Sequence, residues 1–462
     1  MPVIEAAPAE SRVSRRPRAS AVAVAVAVLL VGGCAAVGHW LTRRGIRLHQ
    51  GSLYPLDGRY LLHLTGWLLP SLLLAAAIVH FGPRLAAGLP WRRLLAASFL
   101  TAAGWAVALA LVGGPAAIAA PLTTRYEYLS DVDRVLGMDL GTYLRTFTWY
   151  IVDSGHGPVW TVHVSGHPPL ATLVFALLAK AGLGGAGWAA ALCIIGGASA
   201  AASVLSTVRV LAGEALARAA APFVAAAPLA LWIATSADAL FTGVAAAGIC
   251  ALAHAAARRD LLALLGGLVL GACLFLSYGL VLIAPLAVAA VAVQRRIRPL
   301  VVAGAAAGLV VAGFAVAGFW WLDGLHLVYR RVVEGGGYLD RPRAYFAFAG
   351  PAAVAVQIGP AIIAALPLAW PTARHLRPFT AALAWPTRPY LRLLAVPAAA
   401  LGALALAVAS DLAKGEVERI FLPWAVWLLP LAALLPTASR RRWLTAQLAF
   451  AFVIAATTEL TW

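Results

Sequence analysis

The stretch TVHVSGHPPLATLVFALLAK (161–180) joins a polar segment to an apolar one, and the topology of everything after it depends on which it is. Its apolar part, 168–184, starts at Pro168-Pro169 and runs into GLGGAG (182–187). A helix needs about 20 residues to cross a hydrocarbon core, so this piece is marginal. Counted as a full crossing, it turns the basic clusters QRRIR (294–298), RHLRP (374–378) and SRRR (439–442) outward. Short connections rich in Lys and Arg belong on the cytoplasmic side. A short re-entrant or interfacial helix leaves those clusters inside, and irregular backbone at membrane depth is tolerated against protein or a wet cavity. The short helix is therefore preferred over a true span, which would need 261–293 to be one bent helix. Proline also pushes the residue before it out of the α region. His163 and His167 are thus not expected to form a helical metal-binding pair.

The rest of the chain is equally apolar. Of 462 residues, 62% are hydrophobic and 11% charged, and mean hydropathy is +0.87. Too few charges remain to cover a water-soluble surface, so the chain reads as an all-α integral membrane protein. Apolar blocks fall near 20–38, 60–81, 94–118, 187–208, 216–236, 238–257, 261–275, 278–293, 299–322, 350–369, 392–409, 419–437 and 443–460. That makes about 13 transmembrane helices plus the short one. The period-two run AVAVAVAV (21–28) is helical as well, since a lone strand in lipid leaves its backbone unsatisfied. Residues 1–19 form a cytoplasmic tail and 20–462 a single membrane domain.

A net charge of +17 invites a nucleic-acid partner. The Arg clusters RRPR (15–18), WRR (91–93), RR (258–259) and RPYLR (388–392), with the three above, lie instead between apolar blocks. They set topology and meet the lipid bilayer; no nucleic-acid partner is expected. Cys34, Cys193, Cys250 and Cys273 sit inside apolar segments as small hydrophobes, and VGGC, ending at Cys34, lies in an uncleaved first span.

Three segments are expected outside: 119–186, 323–349 and 410–418. In this topology Glu5, Glu10, Glu214 and Asp260 are cytoplasmic, and the rest of the 18 carboxylates are extracytoplasmic. Part of that bias reflects the length of the outer loops; the remainder points to chemistry at the outer face. Glu127 and Asp131 are four apart and share a helical face, while Asp133 points elsewhere. Like charges so placed suit a cation, a shared proton or a basic partner, and a solvated surface helix is the plain alternative. Lys414, Glu416, Glu418 and Arg419 in AKGEVERI (413–420) could hold a phosphate arriving on a lipid; a salt-bridged loop is the plain alternative. Arg330, Arg331, Arg341, Arg343 and His326 add positive charge outside. EGGGYL (334–339) lacks the strand and helix of a phosphate-cradling loop.

An acidic external loop followed by HPPL (167–170) opening an apolar helix resembles the GT-C superfamily of polytopic glycosyltransferases, in particular the protein O-mannosyltransferase and aminoarabinose transferase type. TSADALFTGVAAAG (235–248) resembles an Asp-bearing segment of those proteins, and KGEVERIFLPWAVWLLP (414–430) resembles a late segment of actinobacterial membrane proteins of this architecture. The likeness covers roughly 119–300 and 405–435. It implies transfer of a sugar from a polyprenyl-phosphate donor to a glycan, lipid or protein acceptor at the outer face of a bacterial plasma membrane. By position the general base falls among Glu127, Asp131 and Asp133, with Asp131 favoured. His163, His167, Asp238, Arg330, Arg331, Lys414, Glu416 and Arg419 would bind substrate. The resemblance implies no required cofactor and admits a divalent cation, Mg or Mn. This chain has EYLSDVD (127–133) where the pattern has an adjacent acidic pair. A transporter or flippase for a lipid-linked or anionic solute is the competing class, but such proteins carry polar groups near the bilayer midplane and often inverted repeats.

Overall fold

The computed structural model describes residues 16–257, 261–334, 341–373 and 389–461. RHLRP, the pair at 258–259, Arg388, Glu5, Glu10, Asp260 and most of EGGGYL lie outside the described residues. The chain is almost wholly helical. Helix α1 (Arg16–Arg43) leads through strand β1 (Gly58–Tyr60) into α2 (Leu68–Gly88) and α3 (Trp91–Ala110). Short helices α4 (Val132–Leu136), α5 (Leu140–Thr146) and α6 (Val162–Gly166) punctuate the long loop, and α7 (Pro169–Lys180) follows. Then come α8 (Ala186–Ala212), α9 (Glu214–Ala225), α10 (Ala237–Ala257), α11 (Leu261–Leu276), α12 (Ala284–Ala292), α13 (Arg298–Val316) and α14 (Trp321–Glu334). The chain ends with α15 (Arg343–Ala373), α16 (Pro389–Ala409), α17 (Val417–Ile420), α18 (Leu422–Ala425), α19 (Thr437–Thr457) and strand β2 (Thr458–Leu460).

Among the described residues, eight helices are long and apolar enough to cross a membrane: α1, α2, α3, α8, α10, α13, α15 and α16. The expected crossings at 216–236 and 419–437 are interrupted. α9 stops before Pro228, and a 3-10 segment, Val426–Leu434, contains Pro430. Proline has no N–H to donate and clashes with the preceding turn. Both segments are buried almost throughout, so protein rather than lipid meets their irregular backbone. The segment at 261–293 breaks at Ser277. Ala263 and Val291 share one apolar cluster, and Gln294 Nε2 donates to the Ala253 carbonyl at 2.9 Å. The chain therefore doubles back there rather than continuing as one bent helix.

α7 has 12 residues, about 18 Å of helix, too short to cross a bilayer alone. Pro169 starts it, and His167 before Pro168 is extended (φ −126°, ψ 157°). Small residues let the longer helices approach: a Cβ on Gly243 of α10 would lie 1.9 Å from the Gly196 carbonyl oxygen of α8. α15 is two helices joined at Gly359 (φ 74°), where the Gln447 side chain accepts from Ala361 N and donates to Ile358 O. β1 and β2 pair antiparallel, with Arg59 opposite Glu459. The loop after α1 and the chain after α19 thus share one end of the bundle.

Candidate functional site

That same end holds a buried charged cluster built from four remote segments. Arg419, on α17, is 5% exposed. Its guanidinium donates to Asp238, in the first turn of α10, and to Glu416, three residues earlier. It also lies 3.1 Å from His163 Nε2 on α6. His163 Nδ1 in turn lies 2.8 Å from Glu127 Oε1. With Nε2 accepting from the guanidinium, the ring proton falls on Nδ1, the nitrogen nearest Glu127. Glu127 is 3% exposed, and its Oε2 accepts no hydrogen bond among the described residues.

The local backbone explains the convergence. Tyr128, next to Glu127, stacks on Phe175 of α7 (5.4 Å between centroids) and meets the edge of His167 (5.5 Å). The HPPL helix thereby clamps the acidic segment against the bundle. On the other side, Gly415 (φ 85°) and Glu416 (φ 54°) adopt left-handed backbone. For a non-glycine residue this conformation costs free energy and is held only by its surroundings. The turn swings both Glu416 and Arg419 into the cluster. Glu416 is the least enclosed of its carboxylates, with a side chain 32% exposed.

Electrostatics divide the nearby groups. Burial raises the Glu416 carboxyl, but Arg419 and His163 beside it outweigh that and hold it below the usual range. Burial pushes Glu418 up to about 8, so it is mostly neutral at pH 7; its Oε1 accepts from the Asp57 N–H at 2.7 Å. Asp57 is also raised by burial. His167 is pushed down to about 4, chiefly by burial, and its Nδ1–H donates to the His163 carbonyl at 2.8 Å. It is a neutral ring that supports the loop.

Of the residues singled out in the sequence, Glu127, His163, Asp238, Glu416 and Arg419 come together, with His167 behind them. Asp131 is buried elsewhere: its Oδ2 accepts from Thr161 N at 2.8 Å, near Tyr143 and Arg331. Arg331 donates to the carbonyls of Ile151 and Trp160. Asp133 and Arg330 are exposed. Lys414 pairs with Asp411 at 2.8 Å and donates to the Arg341 carbonyl. Sequence reasoning gave Glu418 no separate role and did not single out Asp57. The signal for Asp57 was YPLDG (54–58), a turn motif with one carboxylate after the first span.

Among the described residues, no group of three or more His, Cys, Asp and Glu side chains is arranged to hold a metal ion. No family profile matches the chain, and no curated protein sequence does. Among solved structures it is similar to the oligosaccharyltransferase of Archaeoglobus fulgidus, crystallised with Zn and sulfate, at 15% identity and a TM-score of 0.43. The match covers 78% of this chain and 51% of that one, so the chain spans about half the length of that protein.

Proposed function

We propose that the chain is a membrane glycosyltransferase moving a sugar from a polyprenyl-phosphate donor to a hydroxyl of a glycan, lipid or protein acceptor at the extracytoplasmic face of a bacterial plasma membrane. The observation that carries this is the meeting of Glu127, His163, Asp238 and Arg419 in one buried cluster at one end of a membrane bundle. Buried ions cost several kcal/mol each in desolvation, and well-packed apolar residues would hold the same loops as firmly or better. A buried cluster of this composition is a candidate for chemistry. The sequence likeness to GT-C enzymes supplies the reaction class.

In this mechanism Glu127 Oε2 takes the acceptor proton as the hydroxyl oxygen bonds to the anomeric carbon. The bond from that carbon to the phosphate oxygen breaks, and its electron pair leaves with the phosphate. His163 steadies the other oxygen of Glu127. Arg419, released from Glu416 on the open side, faces the charge gathering on the phosphate. One base and an activated donor suit a single displacement with inversion. Asp131 then braces the loop rather than acting as base. Glu127, Asp238 and Glu416 each lie against Arg419 or His163, and no step is routed through a divalent ion.

The test is transfer itself. Purified protein in nanodiscs should move labelled sugar from a polyprenyl-phosphate donor to cell-envelope acceptors. Absence of transfer from every such donor would reject the proposal. Membrane-impermeant labelling of Ser130→Cys and Ser410→Cys from outside intact cells checks the sidedness, and labelling of either only from the cytoplasm would reverse it.

A further inference from the structure

A charged cavity lies at the far end of the helix that carries Asp238. α10 runs from Asp238 to His254, about 24 Å at 1.5 Å per residue. Around His254 lies a half-open cavity of about 630 Å³, formed by the start of α3, the end of α8, the end of α10 and the start of α11. Its polar lining is Arg92, Arg209, Ser206 and His254; Trp91 and Leu262 supply apolar wall. Arg209 stacks over the Trp91 ring, 4.6 Å from its centroid, which fixes the guanidinium plane. Ser206 Oγ and His254 Nε2 are 2.8 Å apart. Glu214 stands beside Arg209 at 2.8 Å but is shared with Arg218 at 2.7 Å, so among the described residues the guanidiniums here outnumber the carboxylate.

These groups match a phosphate. Planar guanidiniums bind its oxygens in pairs, and the Ser206–His254 pair adds a polar edge to the same wall. The volume exceeds what a bare phosphate fills. The apolar wall and a tryptophan at a helix start match the depth of lipid headgroups. Basic connections at span ends attract anionic lipid. We propose that this cavity holds the phosphate group of an anionic membrane lipid, at a site separate from the Arg419 cluster and independent of the reaction assigned to that cluster.

Native mass spectrometry of the full chain, released from nanodiscs of phosphatidylcholine and phosphatidylglycerol, tests this. Wild type should retain phosphatidylglycerol, and a photocrosslinking side chain replacing Leu262 should capture it. Arg92→Ala with Arg209→Ala should lower retention at least about tenfold, the size expected for losing charge-assisted contacts. Arg92→Lys with Arg209→Lys should keep part of it. Ser206→Leu, which narrows the cavity and removes its hydroxyl while keeping both arginines in the chain, should also lower lipid retention and covers the case in which the double variant does not fold. In phosphatidylcholine nanodiscs, added inorganic phosphate should bind weakly or not at all. Equal retention and crosslinking in the alanine and leucine variants, equal capture of phosphatidylcholine, or tight binding of inorganic phosphate without the anionic lipid would each overturn the proposal.

Discussion

Glu127 and Asp131 are four residues apart, both buried, yet they sit in different chemical worlds. Asp131 faces backbone: it accepts from Thr161 N near Arg331, whose own donors go to carbonyls. Glu127 faces side chains: His163 at one oxygen, Arg419 behind that histidine, and no hydrogen bond at the other oxygen among the described residues. A carboxylate spent on backbone holds a loop, whereas Glu127 keeps a buried oxygen without a hydrogen bond among the described residues, beside a histidine and a guanidinium. Helical spacing alone cannot separate the two. The difference arises because Tyr128–Asp131 is a 3-10 turn, which places them on different sides of the loop.

The largest effect should come from Arg419→Gln. It leaves Asp238 buried without its cation, costing about 3–5 kcal/mol of stability together with transfer; thermal unfolding in nanodiscs and the transfer assay report both. Next, Glu127→Gln should lower transfer about 100-fold or more, the range of a lost general base, while the folded protein is recovered in normal yield. Asp131→Ala should do the opposite. It removes the acceptor of Thr161 N, costs about 1 kcal/mol and leaves most transfer intact. A deeper loss of transfer than of stability there would break the division between the two carboxylates.

The last prediction concerns pH. Glu418 titrates at about 8 in the folded chain against an ordinary 4.5. The folded state therefore binds more protons than the unfolded state between those values, and this contribution is fully present below 4.5 and lost as pH rises toward 8. Asp57, also raised, adds to the trend, whereas the lowered Glu416 opposes it. Glu418→Gln should flatten the fall in unfolding temperature across that window. An unchanged slope would show that Glu418 is ionised where it is buried.

Much of the fold was legible because the membrane imposes a length and a composition on each crossing. The shortness of the HPPL helix followed from Pro168-Pro169 and the parity of the basic clusters. The broken segments at 216–236 and 419–437 were not, because their hydropathy matches that of unbroken spans and only prolines such as Pro228 and Pro430 mark the interruptions. In the site, Asp238, His163 and Arg419 were legible as polar residues beside apolar runs. Their partnership was not, since 256 positions separate His163 from Arg419 and only packing brings them together. Asp131 drew attention through its acidic neighbours, but the residue that receives its carboxylate is a backbone amide, which carries no sequence signal.

The most direct measurement is a side-by-side single-turnover comparison of Glu127→Gln and Asp131→Asn in nanodiscs, with a polyprenyl-phosphate sugar bound before acceptor is added. The rate should collapse for Glu127→Gln and stay near wild type for Asp131→Asn, with donor retained by both. Collapse for Asp131→Asn alongside normal transfer by Glu127→Gln would contradict the assignment of the Arg419 cluster as the catalytic centre.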